Sequence, residues 1–336
     1  MSNPSPAGSA PRWSGSVELP HWGLIRASGP DAASFLHAQL TRDFASLGDD
    51  EVRLAGFCSA KGRLQASFVA WRGGPDELLL SCHDSVLAAT VKRLSMFVLR
   101  SKCKLSDASS EAADAASRLV CSGLIGAAAE RACQAAGLAD AGPWRHRRLD
   151  GASLLRLPEV AGLARAVWVA GAGIAAPGAD AATGSDEAPP PTLDNWCWLE
   201  VCSGMPTIEA ETVDKFVPQM VNFELIGGVD FQKGCYPGQE VVARSQYRGT
   251  VKRRMFLFHV AGACAPGEDV FHSSDVTQPA GMVVNSAPRP GASGETALIE
   301  VKLASLDDGS LHLDGVDGPL LTRIELPYKV AAPSES

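Results

Sequence analysis

Residues 233–240 read KGCYPGQE and lie within GMPTIEAETVDKFVPQMVNFELIGGVDFQKGCYPGQEVVARSQYRGTVKRR, residues 204–254. The octapeptide places Cys235 in a turn marked by glycine and proline, beside Lys233 and directly before an expected helix N-terminus. A neighbouring lysine and a helix N-terminus both favour the thiolate form of a cysteine. The pattern therefore indicates a functional thiol at Cys235. The alternative is a tight glycine turn in which the thiol only fills a pocket.

Two basic clusters, residues 92–104 and 244–254, contain no acidic residue. If they converge in the fold they can form an anion site, because arginine binds carboxylates through two parallel hydrogen bonds. We assign Arg244 and Arg254 to such a site. The alternative is that both clusters are solvated surface.

Three tryptophans are candidates for stacking on a flat ligand. Trp196 and Trp198 are two residues apart in an expected helix, so they cannot both face the same core, and at least one should be partly exposed. Trp22 follows Pro20 and His21 in a segment with polar neighbours. Packing between domains is the alternative interpretation for each tryptophan.

Composition limits the class of protein. The 336 residues predict two or three domains, and a net charge of −8 argues against a protein that coats nucleic acid, so no direct nucleic-acid binding is expected. The nine cysteines include no C-x-x-C pair, which predicts neither a disulfide framework nor a stably bound metal. The longest uncharged stretch has 14 residues, too few to span a membrane, and the first residues lack the pattern of a signal peptide. We expect a cytoplasmic protein with no membrane contact.

Hydrophobic periodicity predicts an alternation of short strands and helices. Runs at 52–57, 64–71 and 78–82, separated by glycine-rich turns, predict three antiparallel strands, and apolar residues three and four apart after Asp84 predict a helix packed on them. Further helices are predicted at about 31–41, 125–136, 192–202 and after 238, and further strands at 102–106, 153–157 and 166–170.

The remaining segments differ in character. Strand-like runs at 252–260, 280–285, 297–303 and 320–325, broken by Pro-Gly and Asp-Gly turns, predict a small terminal antiparallel barrel. The Ala/Gly/Pro-rich stretch 171–191 has little apolar surface to bury and predicts a flexible insertion.

The octapeptide resembles the K-G-C-Y-x-G-Q-E signature of the YgfZ family of folate-binding proteins, relatives of the glycine-cleavage T-protein (aminomethyltransferase). Upstream, GPDAASFLHAQLTRD at 29–43 is similar to the family's G-x-D-A-x-x-F-L-Q-x-Q-x-T-x-D, and residues 61–63 to its K-G-R. Flanking segments similar to the family's G-I-P, F-x-P-Q, G-I-S-F and V-A-R lie at 204–206, 216–219, 228–231 and 242–244. The resemblance covers residues 17–105 and 192–260 well and the remainder only by position.

The resemblance implies an α+β fold, with an aminomethyltransferase-like folate-binding region of two intertwined subdomains and a C-terminal antiparallel β-barrel. The expected boundaries are a disordered tail at 1–16, a first subdomain at 17–106, a second at 107–250 that contains the insertion and the octapeptide, and the barrel at 251–336.

The resemblance also implies a protein that binds tetrahydrofolate or a derivative. Members of the family are implicated in assembly or repair of iron–sulfur enzymes and, through them, in tRNA modification, so folate, iron–sulfur assembly proteins and cluster-dependent client enzymes are the expected partners. A flat pterin favours aromatic faces, and the anionic glutamate tail favours a basic rim. The residues assigned to folate binding are Trp22, Trp196, Trp198, Lys233, Tyr236, Gln239, Glu240, Arg244 and Arg254, with Cys235 as the functional thiol.

Two alternative functions remain open. An active aminomethyltransferase needs a carboxylate, yet the stretch equivalent to the T-protein's catalytic acid reads GRLQA at 62–66, so Glu209, Glu211 or Asp214 would have to replace it. The second alternative is a folate-independent scaffold in which Cys235 contacts a partner or a transient cluster. One further departure is EVCSGMP at 200–206, where relatives often read R-I-E-A-G-I-P.

Overall fold

The computed structural model describes residues 11–110, 118–176, 188–247 and 251–330. The strands are β1 (Gly15–Glu18), β2 (Trp22–Ser28), β3 (Val52–Cys58), β4 (Leu64–Gly74), β5 (Glu77–His83), β6 (Lys104–Asp107), β7 (Leu119–Ile125), β8 (Arg145–Leu149), β9 (Ala152–Val160), β10 (Leu163–Gly171), β11 (Arg253–Val260), β12 (Asp269–His272), β13 (Gly281–Pro288), β14 (Glu295–Lys302), β15 (Leu311–Leu313) and β16 (Leu320–Ile324). The helices are α1 (Ala32–Gln39), α2 (Asp84–Ser95), α3 (Ala127–Ala135), α4 (Leu193–Cys202) and α5 (Gln239–Tyr247).

The first sheet has the order β3-β4-β5-β2-β6 and is antiparallel throughout. Helices α1 and α2 cover one of its faces, where Leu36, Leu87 and Leu94 join Phe57 and Phe68 in one apolar cluster. The three predicted strands and the helix after Asp84 are thus confirmed. The periodicity was informative here because the buried residues of α2 recur three and four positions apart.

The second sheet has the order β1-β7-β10-β9-β8, with α3 on one face. Strand β1 comes before the whole first sheet in the chain but pairs with β7, so the two subdomains are intertwined. Gly15 and Ser16, which the sequence analysis assigned to the tail, are the start of this strand, because their backbone groups pair with Ile125 and Leu124. Residues 1–10 of the predicted tail lie outside the described residues.

Helix α4 lies between the two sheets. Its N-terminus is the predicted cap: Thr192 Oγ1 accepts a hydrogen bond from the Asn195 backbone N–H (3.3 Å), and Asn195 Oδ1 accepts one from the Thr192 N–H (2.9 Å). Trp196 and Leu199 of this helix belong to an apolar cluster that also contains residues of both sheets. The helix therefore joins the two subdomains through a shared core.

The C-terminal strands close into a barrel of the order β11-β14-β13-β12-β15-β16, which confirms the predicted antiparallel barrel. The strands β12 and β15, four and three residues long, were not predicted, because such short segments show too little alternation. The barrel is attached to α4: Trp198 Nε1 donates to Thr296 Oγ1 at 3.1 Å.

The predicted insertion at 171–191 is described only at its ends, since 177–187 lie outside the described residues. Both ends are held: Trp168 Nε1 donates to the Ile174 carbonyl (2.8 Å), and the Pro189 carbonyl accepts from the Ser14 N–H (3.2 Å). None of the helices in the described ranges is long and apolar enough to cross a membrane.

Candidate functional site

A cavity of about 230 Å³ lies where the first sheet, helix α4 and the segment 205–209 meet. Its apolar walls come from Trp22, Leu54, Phe68, Val201, Met205 and Phe223. Two histidines and two carboxylates, His21, His83, Glu200 and Glu209, also line it. A cavity with apolar walls and a few polar groups is typical of a site for a small organic ligand.

Glu200 is the centre of one hydrogen-bonded group in the cavity. Trp22 Nε1 donates to Glu200 Oε1 at 2.7 Å, and His21 Nε2 donates to Glu200 Oε2 at 2.9 Å. Desolvation raises the pKa of Glu200, but the charge and the hydrogen bond of His21 outweigh it, so that pKa lies below its usual value. Burial disfavours the charged form of His21 and so lowers its pKa, but Glu200 raises that pKa by more. The two groups therefore form an ion pair at mildly acidic pH.

We expect His21→Gln to lower the free energy of unfolding more at pH 5.5 than at pH 9. Because the folded pKa of His21 is raised, its contribution is fully present below the unfolded value of about 6.5 and is lost as pH rises through the folded pKa. Glutamine keeps a hydrogen-bond donor but does not titrate. Urea unfolding of both proteins at both pH values measures the difference, and equal losses at the two pH values would contradict the ion pair.

Glu209 forms the second polar group. Its Oε1 accepts a hydrogen bond from Asn285 Nδ2 at 2.7 Å, and its Oε2 lies 3.8 Å from His83 Nε2. Burial raises the pKa of Glu209 above its usual value, although His83 opposes the shift. Of the three carboxylates proposed to replace the T-protein's acid, Glu209 lines the cavity, whereas Glu211 and Asp214 do not. The side chain of Asp214 instead accepts a hydrogen bond from Gln65.

One group of side chains in the described ranges could hold a metal ion. The donor atoms of His21, Cys197 and Glu200 lie within 4.8 Å of one another. Nitrogen, sulfur and oxygen donors together suit a transition metal such as zinc. Both Glu200 oxygens already accept hydrogen bonds, from His21 and Trp22, so the arrangement does not require a metal.

The three tryptophans have different environments. Trp22 is buried, with 7% of its surface exposed, and lines the cavity. Trp196 is fully buried, and a Cβ on Gly123 would lie only 2.4 Å from its ring, so this side chain has no face free for a ligand. Trp198 is partly buried outside the cavity, with its ring 6.0 Å from that of Trp13. The assignment of Trp196 to stacking is therefore wrong, whereas Trp198 is partly exposed, as predicted for at least one of the pair, but does not line this cavity.

The residues of the octapeptide hold a turn against helix α1. Lys233 Nζ donates to the carbonyl oxygens of His37 and Leu40, the latter at 2.8 Å, and lies 4.7 Å from the ring centre of Tyr236. Burial lowers the pKa of Lys233 to about 8 and raises that of the Tyr236 hydroxyl. Gln239 Nε2 lies 3.5 Å from the Lys233 carbonyl. Lys233, Tyr236 and Gln239 therefore have structural contacts and do not line the cavity.

The structure describes all nine cysteines. Cys235 is exposed, whereas the other eight are buried or partly buried. It is also absent from the cavity lining. The candidate thiol and the candidate ligand cavity are therefore two separate places on the protein, which the sequence alone did not distinguish.

The two arginines assigned to a basic rim differ in burial. Arg254 is mostly buried and forms an ion pair with Glu224, besides donating to the Gln219 carbonyl at 2.9 Å. Its charge is therefore neutralised inside the protein, which corrects its assignment to a rim. Arg244 is 67% exposed and pairs with Glu240, one helical turn earlier, at 2.9 Å. Arg248 lies outside the described residues.

Sequence reasoning missed His21, His83 and Glu200. His21 and Glu200 are 179 positions apart, so no local pattern could pair them. One signal was present: Glu200 begins the segment EVCSGMP, whose charge pattern differs from the family pattern with which the sequence analysis compared it.

The intertwined subdomains and the closed barrel define an aminomethyltransferase-like fold. The fold is similar to that of glycine cleavage system aminomethyltransferase T from Bartonella henselae, with a TM-score of 0.70 and 15% identity over 95% of this chain and 86% of that one. No family model matches the chain.

Sequence comparison identifies the family. The chain is 31% identical over 264 residues to the tRNA-modifying protein YgfZ of Cronobacter sakazakii, covering 76% of this chain and 74% of that protein. It is 32% identical over 263 residues to the protein of the same name from Edwardsiella ictaluri (71% and 69%), and 26% identical to that from Aliivibrio fischeri (93% and 92%). The chain belongs to the YgfZ family.

Proposed function

We propose that this protein binds tetrahydrofolate or a derivative in the cavity beside Trp22. We further propose that it supports cytoplasmic iron–sulfur enzymes, and through them tRNA modification, as a binding protein rather than an enzyme. Its partners are then iron–sulfur assembly proteins or cluster-dependent client enzymes, with no direct contact to RNA. The names of the relatives support the last step of this proposal, since they are tRNA-modifying proteins.

The observation that carries the proposal is the pairing of an indole with two carboxylates in one cavity. Trp22 offers a flat surface, and Glu200 and Glu209 offer oxygens that can accept from the amino and ring N–H groups of a pterin. A carboxylate has about four lone-pair positions, so Glu200 can accept further bonds beside those from His21 and Trp22. At about 230 Å³ the cavity is smaller than the roughly 300–1,000 Å³ of sites for drug-sized ligands, so it suits the pterin with the glutamate tail outside.

We expect tetrahydrofolate to quench the tryptophan fluorescence of the protein, and Trp22→Leu to weaken its binding by about 1–3 kcal/mol, the scale of a stacked flat ring. Leucine keeps an apolar side chain but removes the flat face. Trp198→Leu is the matched control, since that residue lies outside the cavity.

Titration by fluorescence and calorimetry measures both affinities, with urea unfolding to confirm that each variant is folded. Parent-like binding by Trp22→Leu would contradict the assigned pterin site. Failure of the parent to bind any reduced folate would instead favour the folate-independent scaffold.

Glu209 favours folate-dependent aminomethyl transfer as a second candidate function. A buried carboxyl with a raised pKa keeps its proton to higher pH than a free carboxyl does, which suits a general acid. The two candidates differ in one observable: a binding protein leaves tetrahydrofolate unchanged when an aminomethyl donor is added, whereas a transferase consumes it.

A further inference from the structure

Three side chains with different donor atoms meet at the cavity. A ring nitrogen of His21, the Cys197 sulfur and a carboxylate oxygen of Glu200 lie within 4.8 Å of one another, and all three residues line the cavity. Donor atoms in a tetrahedral zinc site are about 3.3–3.6 Å apart, because the bonds to the ion are about 2.0–2.3 Å long. Small movements of the side chains therefore suffice to bring the three donors onto one ion.

The three donors are held by regular elements of the fold. Cys197 and Glu200 are three positions apart in α4, and side chains at that spacing lie on one face of a helix. His21 directly precedes strand β2, and its backbone carbonyl accepts a hydrogen bond from the Asp84 N–H at 2.9 Å. Little of the chain has to be ordered when an ion binds, so the entropic cost of binding is low.

Glu200 is oriented as a metal-binding carboxylate is. Trp22 Nε1 donates to Glu200 Oε1 at 2.7 Å, whereas Oε2 faces His21 Nε2 at 2.9 Å. Metal-binding carboxylates are usually held by hydrogen bonds from residues behind the ligands, which fix their orientation. Trp22 provides such a bond through the oxygen that does not face His21. An ion can thus replace the proton between His21 and Glu200 while the bond from Trp22 is kept.

The charges of the three ligands match a divalent ion. A neutral imidazole, a thiolate and a carboxylate carry two negative charges together. One divalent ion balances them, and the Cys197 thiol releases its proton when the ion binds. The loaded group is then neutral as a whole, which matters inside a protein because an unbalanced buried charge is costly.

The donor atoms also indicate which ion binds. Thiolate sulfur and imidazole nitrogen are ligands of zinc and similar transition metals, whereas magnesium and calcium bind oxygen ligands. We propose that His21, Cys197 and Glu200 form a binding site for one divalent transition-metal ion, with zinc as the ion that suits these donors. Three protein ligands leave the fourth position of a tetrahedral ion to a molecule in the cavity.

The metal site goes beyond the proposed folate binding and does not depend on it. Glu200 binds the ion, and Glu209 is left to accept hydrogen bonds from a pterin. The sequence contains no C-x-x-C pair and so predicted no stably bound metal. This ligand set has no such local pattern, because His21 is far from α4 in the chain.

The experiment titrates the full chain, without folate, with Co²⁺ as the probe. Cobalt bound to a thiolate gives a charge-transfer band in the near ultraviolet, and competition with a chelator measures the affinity for Zn²⁺. We expect one Co²⁺ per chain, displaced by Zn²⁺ but not by Mg²⁺. Cys197→Ser keeps the His21–Glu200 pair but should abolish the band. It should weaken zinc binding by about a hundredfold or more, since even residues behind the ligands contribute about 10–100-fold.

Cys202→Ser is the matched control, because this cysteine lies in the same helix but does not line the cavity. It should bind both ions as the parent does. His21→Gln is the second test variant and should also weaken zinc binding. Urea unfolding shows whether each variant is folded.

Three results would overturn the metal site. They are a parent without the band, parent-like zinc affinity in Cys197→Ser or His21→Gln, and loss of the band in Cys235→Ser, since the ion would then bind the exposed thiol. A parent that binds tetrahydrofolate but no cobalt contradicts the metal site alone. A parent that binds cobalt at Cys197 but no reduced folate contradicts the proposed function alone.

Discussion

Gly238→Ala is expected to destabilise the protein by about 3–5 kcal/mol, the sum of backbone strain and overpacking against fixed atoms. The glycine has φ +78°, and a Cβ there would lie 2.3 Å from the Ser59 carbonyl oxygen and 2.7 Å from the Gly62 nitrogen and Cα. These are backbone atoms in the turn between β3 and β4, so they cannot rotate aside. The octapeptide and the K-G-R turn therefore contact each other backbone to backbone.

Gly227→Ala is the control for this prediction. Gly227 has almost the same backbone angle, φ +82°, but a Cβ there would meet nothing within 4 Å. Strain from the positive φ alone should cost about 1 kcal/mol. Urea unfolding of both variants separates the two contributions, and equal losses would show that the clash at Gly238 is relieved by movement of the turn.

The second large effect is expected for Arg254→Ala, which should cost about 3–5 kcal/mol because it leaves a buried carboxylate without its partner. The Glu224 side chain is 3% exposed, and burial raises its pKa while Arg254 opposes that shift. Arg244→Ala removes an exposed pair with Glu240 and should cost about 0–1 kcal/mol.

The pH dependence provides an independent check of the Arg254 prediction. Without the arginine, the pKa of Glu224 should rise further, so the variant should lose less stability relative to the parent at acidic pH, where the carboxyl is neutral. The double variant Arg254→Ala/Glu224→Gln should recover part of the loss. Equal losses for Arg244→Ala and Arg254→Ala at pH 7 would mean that solvent reaches Glu224.

The elements that could be predicted from the sequence are those whose cause is local. Thr192 caps α4 through a residue three positions away, and the buried residues of α2 recur with the helical period. Strand β1 could not be assigned, since its four residues gain their partner only from β7, about 100 positions later. The barrel was predicted as a whole although two of its strands were too short to recognise.

The same contrast between local and distant causes applies to the residues of the candidate site. The residues of the octapeptide were identified, but the roles of most of them depend on contacts that no local pattern contains. Arg254 was assigned to a surface because Glu224 is 30 positions away, and Trp196 was assigned to a ligand because Gly123 is 73 positions away.

The intertwined topology has a consequence for synthesis on the ribosome. Residues Leu54, Val69 and Trp71 of the first sheet share an apolar cluster with Phe216 and Phe223. A growing chain can pair the strands of that sheet early, yet one of its faces has no cover until residues beyond 223 have emerged. Strand β1 leaves the exit tunnel before the strands of the first sheet, yet it must wait for β7. Chains whose synthesis pauses after the first sheet but before residue 223 expose an apolar surface and are prone to aggregate. Production of this protein should therefore depend on chaperones that bind nascent polypeptides.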